Sequence, residues 1–183
     1  INDILDYSKI EDKKLQLEKQ PFLIIEVLKS VKFDVDGIVS NKGIQLISHI
    51  EAGFSDGWLG DIVRVKQILL NLVSNAVKFT DKGSVTVNIY ETQHNAEKAL
   101  GFNVIDTGIG MSVEAQSRVF ERFSQADNSS TRRFGGSGLG MSITLNLVKM
   151  MDGIIEVKSE PGCGTVISVI LPLSKTDKET YKT

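Results

Sequence analysis

Asn71, Asn75 and Lys78 stand four and three residues apart. On a helix turning about 100° per residue, that spacing gathers two amide groups and an ammonium into a narrow arc of one face. Amide oxygen is a hard donor that suits Mg²⁺, and an ammonium complements phosphate charge. Asparagine is a poor helix former, so two in one helix suggest a task, although a solvated polar face presents the same spacing. Asp106 opens the run Asp106-Thr107-Gly108-Ile109-Gly110 directly after an alternating segment. A carboxylate at a strand end beside a flexible turn could accept an exocyclic amine. A plain turn is another reading, and an aspartic protease a third, but that chemistry needs two facing copies and the chain has one. Gly135-Gly136-Ser137-Gly138-Leu139-Gly140 opens a further helix, where unpaired N–H groups and the positive helix end favour an anion such as phosphate. Its letters fit neither the P-loop nor the dinucleotide fingerprint. Gly162-Cys163-Gly164-Thr165 reads as a hairpin connection.

The elements that must position these groups are legible from periodicity. Val65, Leu69, Leu72, Val73 and Ala76 form the apolar stripe of a helix with Asp61 as N-cap, running to about Phe79 and carrying Asn71, Asn75 and Lys78 opposite the stripe. An earlier helix is predicted from Pro21 at its first position to about Ser40, ended by Asn41 and Gly43. Ile44 to Ile50 reads as a strand, and the stretch around Trp58 as a loop. Ser84 to Tyr90 and Leu100 to Asp106 alternate as paired antiparallel strands. A short helix from Val113 to Arg118 leads into Phe123 to Gly136, a polar run without apolar period that we read as a lid. A third long helix spans about Leu139 to Met151, and strands Ile154 to Lys158 and Thr165 to Leu171 flank the Pro161-Gly162 turn. The last dozen residues read as a frayed tail. Three main helices and about five strands predict a two-layer α/β sandwich with a mixed, largely antiparallel sheet and helices on one face.

The bulk numbers narrow the classes. At 183 residues, 41% hydrophobic, 24% charged and net −2, the chain can bury a core without disulfides and its composition suggests no polyanion-binding surface, so nucleic acid is not an expected partner. The single Cys163 has no neighbour to pair with or to build a zinc site, which fits a reducing compartment. No apolar run approaches the ~18 residues of a membrane span. The Ile1 start, without initiator Met or signal pattern, is read as that of a fragment, with no membrane contact of its own.

Taken in order, Asn71-Leu-Val-Ser-Asn75-Ala-Val-Lys78-Phe79-Thr80, Asp106-Thr-Gly-Ile-Gly110, Phe120-Glu-Arg-Phe123 and Gly136-Ser-Gly-Leu-Gly140 resemble the N, G1, F and G2 boxes of the histidine-kinase ATPase (GHKL) family. The likeness covers about Pro21 to Leu173. Asn2 to Ile10 resembles the end of the preceding dimerisation helix, and Phe123-Ser-Gln-Ala-Asp127 is closest to hybrid kinases, which carry a receiver domain further on. The implied domains are 1–18, the end of the dimerisation and phosphoacceptor helix; 19–173, the catalytic ATP-binding domain; and 174–183, a tail or linker.

The resemblance implies that Asp106 takes the adenine amine with Thr165 nearby, and that Gly108, Gly110 and Met111 line the base pocket with Phe79 close by. Asn75 would hold Mg²⁺ with Asn71 assisting, and Lys78 would meet the phosphates. Phe123 of the F box and the stretch Gly136, Ser137, Gly138, Leu139 and Gly140 would close over and cradle the phosphate chain. Asn71 stands where related gyrase, mismatch-repair and heat-shock ATPases carry a water-activating Glu, which favours transfer over hydrolysis. Gln125 replaces a lid Arg common among relatives, with Arg132 or Arg133 as substitutes. Neither His49 nor His94 lies in the family's H-E-x-R-T-P context, so the phosphoacceptor histidine is expected upstream of Ile1. The reading is therefore a Mg-ATP-dependent protein-histidine kinase module that does not autophosphorylate alone. Its implied partners are its own dimerisation domain and a response regulator or receiver, in a cytoplasmic part of a homodimeric parent anchored in the bacterial inner membrane. A non-catalytic nucleotide-binding interaction module and a GHKL ATPase remain as alternatives.

Overall fold

The computed structural model describes residues 16–119 and 140–176. In chain order the elements are β1 (Gln20–Phe22), α1 (Ile24–Lys42), β2 (Gln45–Ile50), β3 (Trp58–Gly60), α2 (Ile62–Phe79), β4 (Ser84–His94), β5 (Glu97–Asp106), α3 (Val113–Arg118), α4 (Gly140–Met150), β6 (Ile154–Glu160), β7 (Gly164–Leu171) and β8 (Ser174–Lys175). Five strands form one mixed sheet in the order β2-β4-β5-β7-β6, parallel only between β2 and β4. This is the predicted α/β sandwich.

Strand alternation decides which side chains meet the helices. Val87 and Ile89 of β4 fall in cross-strand rows with Val104 and Phe102 of β5, and with Ile167 and Val169 of β7. All are buried in one core with Val31 and Val35 of α1, Ile143 and Leu147 of α4, and the apolar stripe of α2. Every stripe residue of α2 named from the sequence is buried, Val65, Leu69, Leu72 and Val73 at 0% exposure. Burial of each such side chain contributes about 1.5–3 kcal/mol, which anchors α2 firmly on the sheet. Asp61 is its N-cap, accepting from Arg64 N at 3.2 Å.

The first helix begins later than predicted. Pro21 lies in β1, an edge strand where its missing N–H costs no ladder bond. α1 starts at Ile24 after Leu23, which offers no side-chain cap. The carboxylate of Asp56 serves instead, accepting from Ile24 N at 2.9 Å and Ile25 N at 3.0 Å. The cap comes from 32 residues away, so no local pattern announces it. Gly43 ends the helix in the left-handed conformation, close to the expected stop.

Trp58, read as part of a loop, lies in β3, the centre of a second sheet ordered β1-β3-β8. The start of the expected tail is likewise a strand. Ser174 and Lys175 pair with Leu59 and Trp58, and Lys175 Nζ lies 4.1 Å from the Trp58 ring centroid and donates to Ser55 O. Strands of two or three residues, paired across long stretches of chain, carry no periodicity of their own. The β4–β5 hairpin is longer than its apolar core suggested, turning on Asn95 and Ala96, both at positive φ.

Candidate functional site

Asp106, Thr165 and Ser159 form one row across the end of the main sheet. Asp106 is the register partner of Thr165, and Thr165 of Ser159. By the period of two, Asp106 shares the inward face of β5 with Val104 and Phe102, so the residue is only 8% exposed. Its Oδ1 accepts from Gly108 N at 2.9 Å. Burial raises its pKa above the ordinary carboxylate value, and backbone hydrogen bonds from Gly108 and Thr165 pull it part of the way back.

The loop after Asp106 is clamped from two sides. Ile109 N donates to Phe79 O at 3.2 Å, the last residue of α2, and Gly162 N donates to Ile109 O at 2.7 Å. The glycines are required by these approaches. A Cβ on Gly108 would sit 2.1 Å from Phe79 O, and one on Gly110, whose φ is +71°, 1.9 Å from Glu160 O. Gly108→Ala is therefore expected to force the loop off the end of α2 and lower stability by about 2–4 kcal/mol. Urea denaturation unchanged from wild type would show that the approach is not as close as described.

The end of α2 is tied into the same loop. Ala76 O accepts from Thr80 Oγ1 at 2.8 Å, Val77 O and Lys78 O accept from Lys42 Nζ at 2.6 and 3.0 Å, and Phe79 O takes Ile109 N. All four terminal carbonyls of the helix, which have no partner within it, are thus satisfied.

Asn71, Asn75 and Lys78 project from α2, each half-buried. Asn71 is the engaged member. Its Nδ2 donates to Gly140 O and to Thr144 Oγ1, both at 3.1 Å, tying α2 to the first turn of α4. With both donors committed there, only its carbonyl oxygen remains to serve a cation. Asn75 and Lys78 make no side-chain hydrogen bond or ion pair among the described residues. Two amide oxygens are the donor chemistry of a hard cation, and an uncommitted ammonium beside them is that of phosphate, so the residues fit Mg²⁺ with a phosphorylated ligand.

The structure therefore gathers Phe79, Asp106, Gly108, Gly110, Met111 and Thr165 at one sheet end, and leads from there along α2 to Lys78, Asn75, Asn71 and Gly140. Phe123, Gly136, Ser137, Gly138 and Leu139, the lid and its Gln125, Arg132 and Arg133 lie outside the described residues. Sequence reading missed Ser159 and Gln116. Ser159 Oγ accepts from Met111 N at 2.8 Å, and Gln116 Nε2 donates to Met111 O at 3.1 Å and to Ser159 O at 2.8 Å. A serine in an alternating strand and a glutamine in a six-residue helix carry no local signal. Among the described residues no helix is long and apolar enough to cross a membrane.

Comparison with known proteins agrees with this geometry. Residues 60–175 match the family described as histidine kinase-, DNA gyrase B- and HSP90-like ATPase. The chain is 39% identical over 180 residues to the autoinducer 2 sensor kinase/phosphatase LuxQ of Vibrio harveyi, covering 97% of this chain and 21% of that protein. It is 41% identical to hybrid signal transduction histidine kinase A of Dictyostelium discoideum, over 94% of this chain and 8% of that one. It thus spans about a fifth or less of these two relatives. The crystal structure of full-length ShkA in complex with AMPPNP superposes with a TM-score of 0.82 at 30% identity, covering 96% of this chain and 35% of that one. Since the family match takes in α2, the Asp106 loop, α4 and the β6–β7 hairpin together, the chain belongs to the histidine kinase-, DNA gyrase B- and HSP90-like ATPases.

Proposed function

We propose that this chain is the catalytic ATP-binding domain of a sensor histidine kinase, holding Mg-ATP and passing its γ-phosphoryl group to a histidine on a separate dimerisation domain. The observation that carries the reading is the continuity of the site: a buried carboxylate with amide donors at one end, joined through Phe79 to a helix face of amide and ammonium groups at the other. Asp106, with Thr165 beside it, receives the exocyclic amine of adenine. Gly108, Gly110 and Met111 give the base its wall, and Phe79 packs near it. Asn75 and the oxygen of Asn71 would hold Mg²⁺, whose chemistry there would be charge neutralisation on the phosphates. Lys78 meets the same phosphates directly, and Gly140 with the glycine-rich stretch before it cradles the chain. Phosphoryl transfer needs positioning and charge neutralisation more than a covalent nucleophile, which this arrangement supplies.

An amide cannot accept a proton in the way a carboxylate can, so Asn71 is not a general base for water attack. That favours transfer to a histidine over hydrolysis. The acceptor domain, a receiver or response regulator, a homodimeric parent and its membrane anchor belong to the same proposal, whose kinase part is supported by the sensor and hybrid kinases among the relatives. Incubation with γ-labelled ATP and the parent's phosphoacceptor domain is expected to label that domain on histidine and to leave this chain unlabelled. Phosphate release without labelled histidine would make the chain an ATPase, and neither product would leave an interaction module.

A further inference from the structure

We infer that Ser159 is a positioning residue that fixes the hydrogen-bonding polarity of Thr165, and thereby makes the base pocket select a ligand bearing an exocyclic amine. The inference rests on the reading of Asp106 and Thr165 as base contacts. Ser159 Oγ makes three polar contacts, each at 2.8 Å: Met111 N, Gly164 O and Thr165 Oγ1.

A hydroxyl has one proton to give and two lone pairs. An amide N–H can only donate and a carbonyl can only accept, so Ser159 must accept from Met111 and give its proton to Gly164 O. Its remaining lone pair can then meet Thr165 only if Thr165 donates. All three contacts are hydrogen bonds in this one arrangement of protons. Thr165, 8% exposed, is left with lone pairs alone. The pocket end of the row then presents two acceptors side by side, the Asp106 carboxylate and the Thr165 oxygen, which suit an amine and oppose a ring carbonyl.

Gln116 holds the frame by bonding Met111 O and Ser159 O, so the Met111 amide stays aimed at Ser159. Without the Ser159 hydroxyl, the Thr165 proton is free to turn toward the pocket, and the preference for an amine relaxes. A site built to hydrogen-bond a polar substituent discriminates strongly against a ligand lacking it, because its own buried groups are then left unpaired.

The test is titration of the whole chain with AMPPNP and with the matching purine triphosphate analogue that lacks the 6-amino group. Wild type is expected to prefer the amine by ~100-fold, and Ser159→Ala to lower that preference about tenfold, mainly by weakening AMPPNP. Ser159→Thr, which keeps the hydroxyl, is expected to restore it, and the Met111 amide should exchange faster in Ser159→Ala alone. Equal weakening of both ligands, or an unaltered preference, would overturn the inference while leaving the nucleotide reading intact. If wild type binds neither ligand, the base-contact reading fails and the inference fails with it.

Discussion

Asp106→Asn is expected to weaken binding of an ATP analogue by at least about 100-fold, roughly 2.7 kcal/mol, while leaving the free protein at least as stable as wild type at pH 7. The two halves have one cause. Gly108 N and a backbone hydrogen bond from Thr165 already address this side chain, so an asparagine must turn its oxygen toward them. Its NH₂ group then faces the place where the proposed ligand brings an amine, and donor meets donor at a largely buried position. For the free protein the sign reverses. Burial raises the folded-state pKa of Asp106 above its ordinary value of 3.8, so the folded state holds the proton more tightly than the unfolded one. The stability this group contributes is full below the unfolded value and is lost as pH rises through the raised folded value. Asparagine carries no such charge, so the variant should lose that decline. Calorimetric titration and urea denaturation across pH 3–7 check both halves. A mutant that binds normally would remove Asp106 from the base site.

How much of this was legible depended on the distance over which each signal acts. The stripe of α2 and the alternation of β4, β5 and β7 are local patterns, and they placed the N-box face and Asp106 correctly. Asp106 could be assigned to a strand end because Leu100 to Asp106 alternates up to it and glycine stops it. The clasp around it could not be read. Ser159 becomes important only because the β6–β7 register sets it opposite Thr165, and Lys42 only because α1 crosses the end of α2. The second sheet was hidden for the same reason. β1, β3 and β8 have three, three and two residues and specify one another only through pairing, with Lys175 covering Trp58 and Asp56 starting α1 from a loop. Long-range hydrogen bonds by short elements leave no periodic trace, whereas the chemistry-bearing residue types remain visible wherever they lie.

The contrast between Asn71 and Asn75 separates a residue that builds the site from one that acts in it. Asn71→Ala removes two hydrogen bonds between α2 and α4, so its functional loss would be mixed with a structural one. Asn75→Ala removes none among the described residues and replaces a poor helix former by the best one, a change worth up to about 0.7 kcal/mol in favour of the helix. The variant should therefore melt at or slightly above the wild-type temperature. Under the proposed function it should also lose the increment in AMPPNP affinity that Mg²⁺ provides, binding equally well with and without the ion. Phosphoryl transfer to a supplied histidine should fall by at least about 100-fold, close to 2.7 kcal/mol of barrier. Titrations with Mg²⁺ and with EDTA, beside a transfer assay, read these quantities separately. Undiminished Mg²⁺ dependence in Asn75→Ala would move the cation to Asn71 or to groups beyond α2, whereas transfer lost with binding and stability intact would place Asn75 among the reacting groups. A residue whose removal improves the fold and ends the chemistry is held in the helix by function, which its type and spacing in the sequence already suggested.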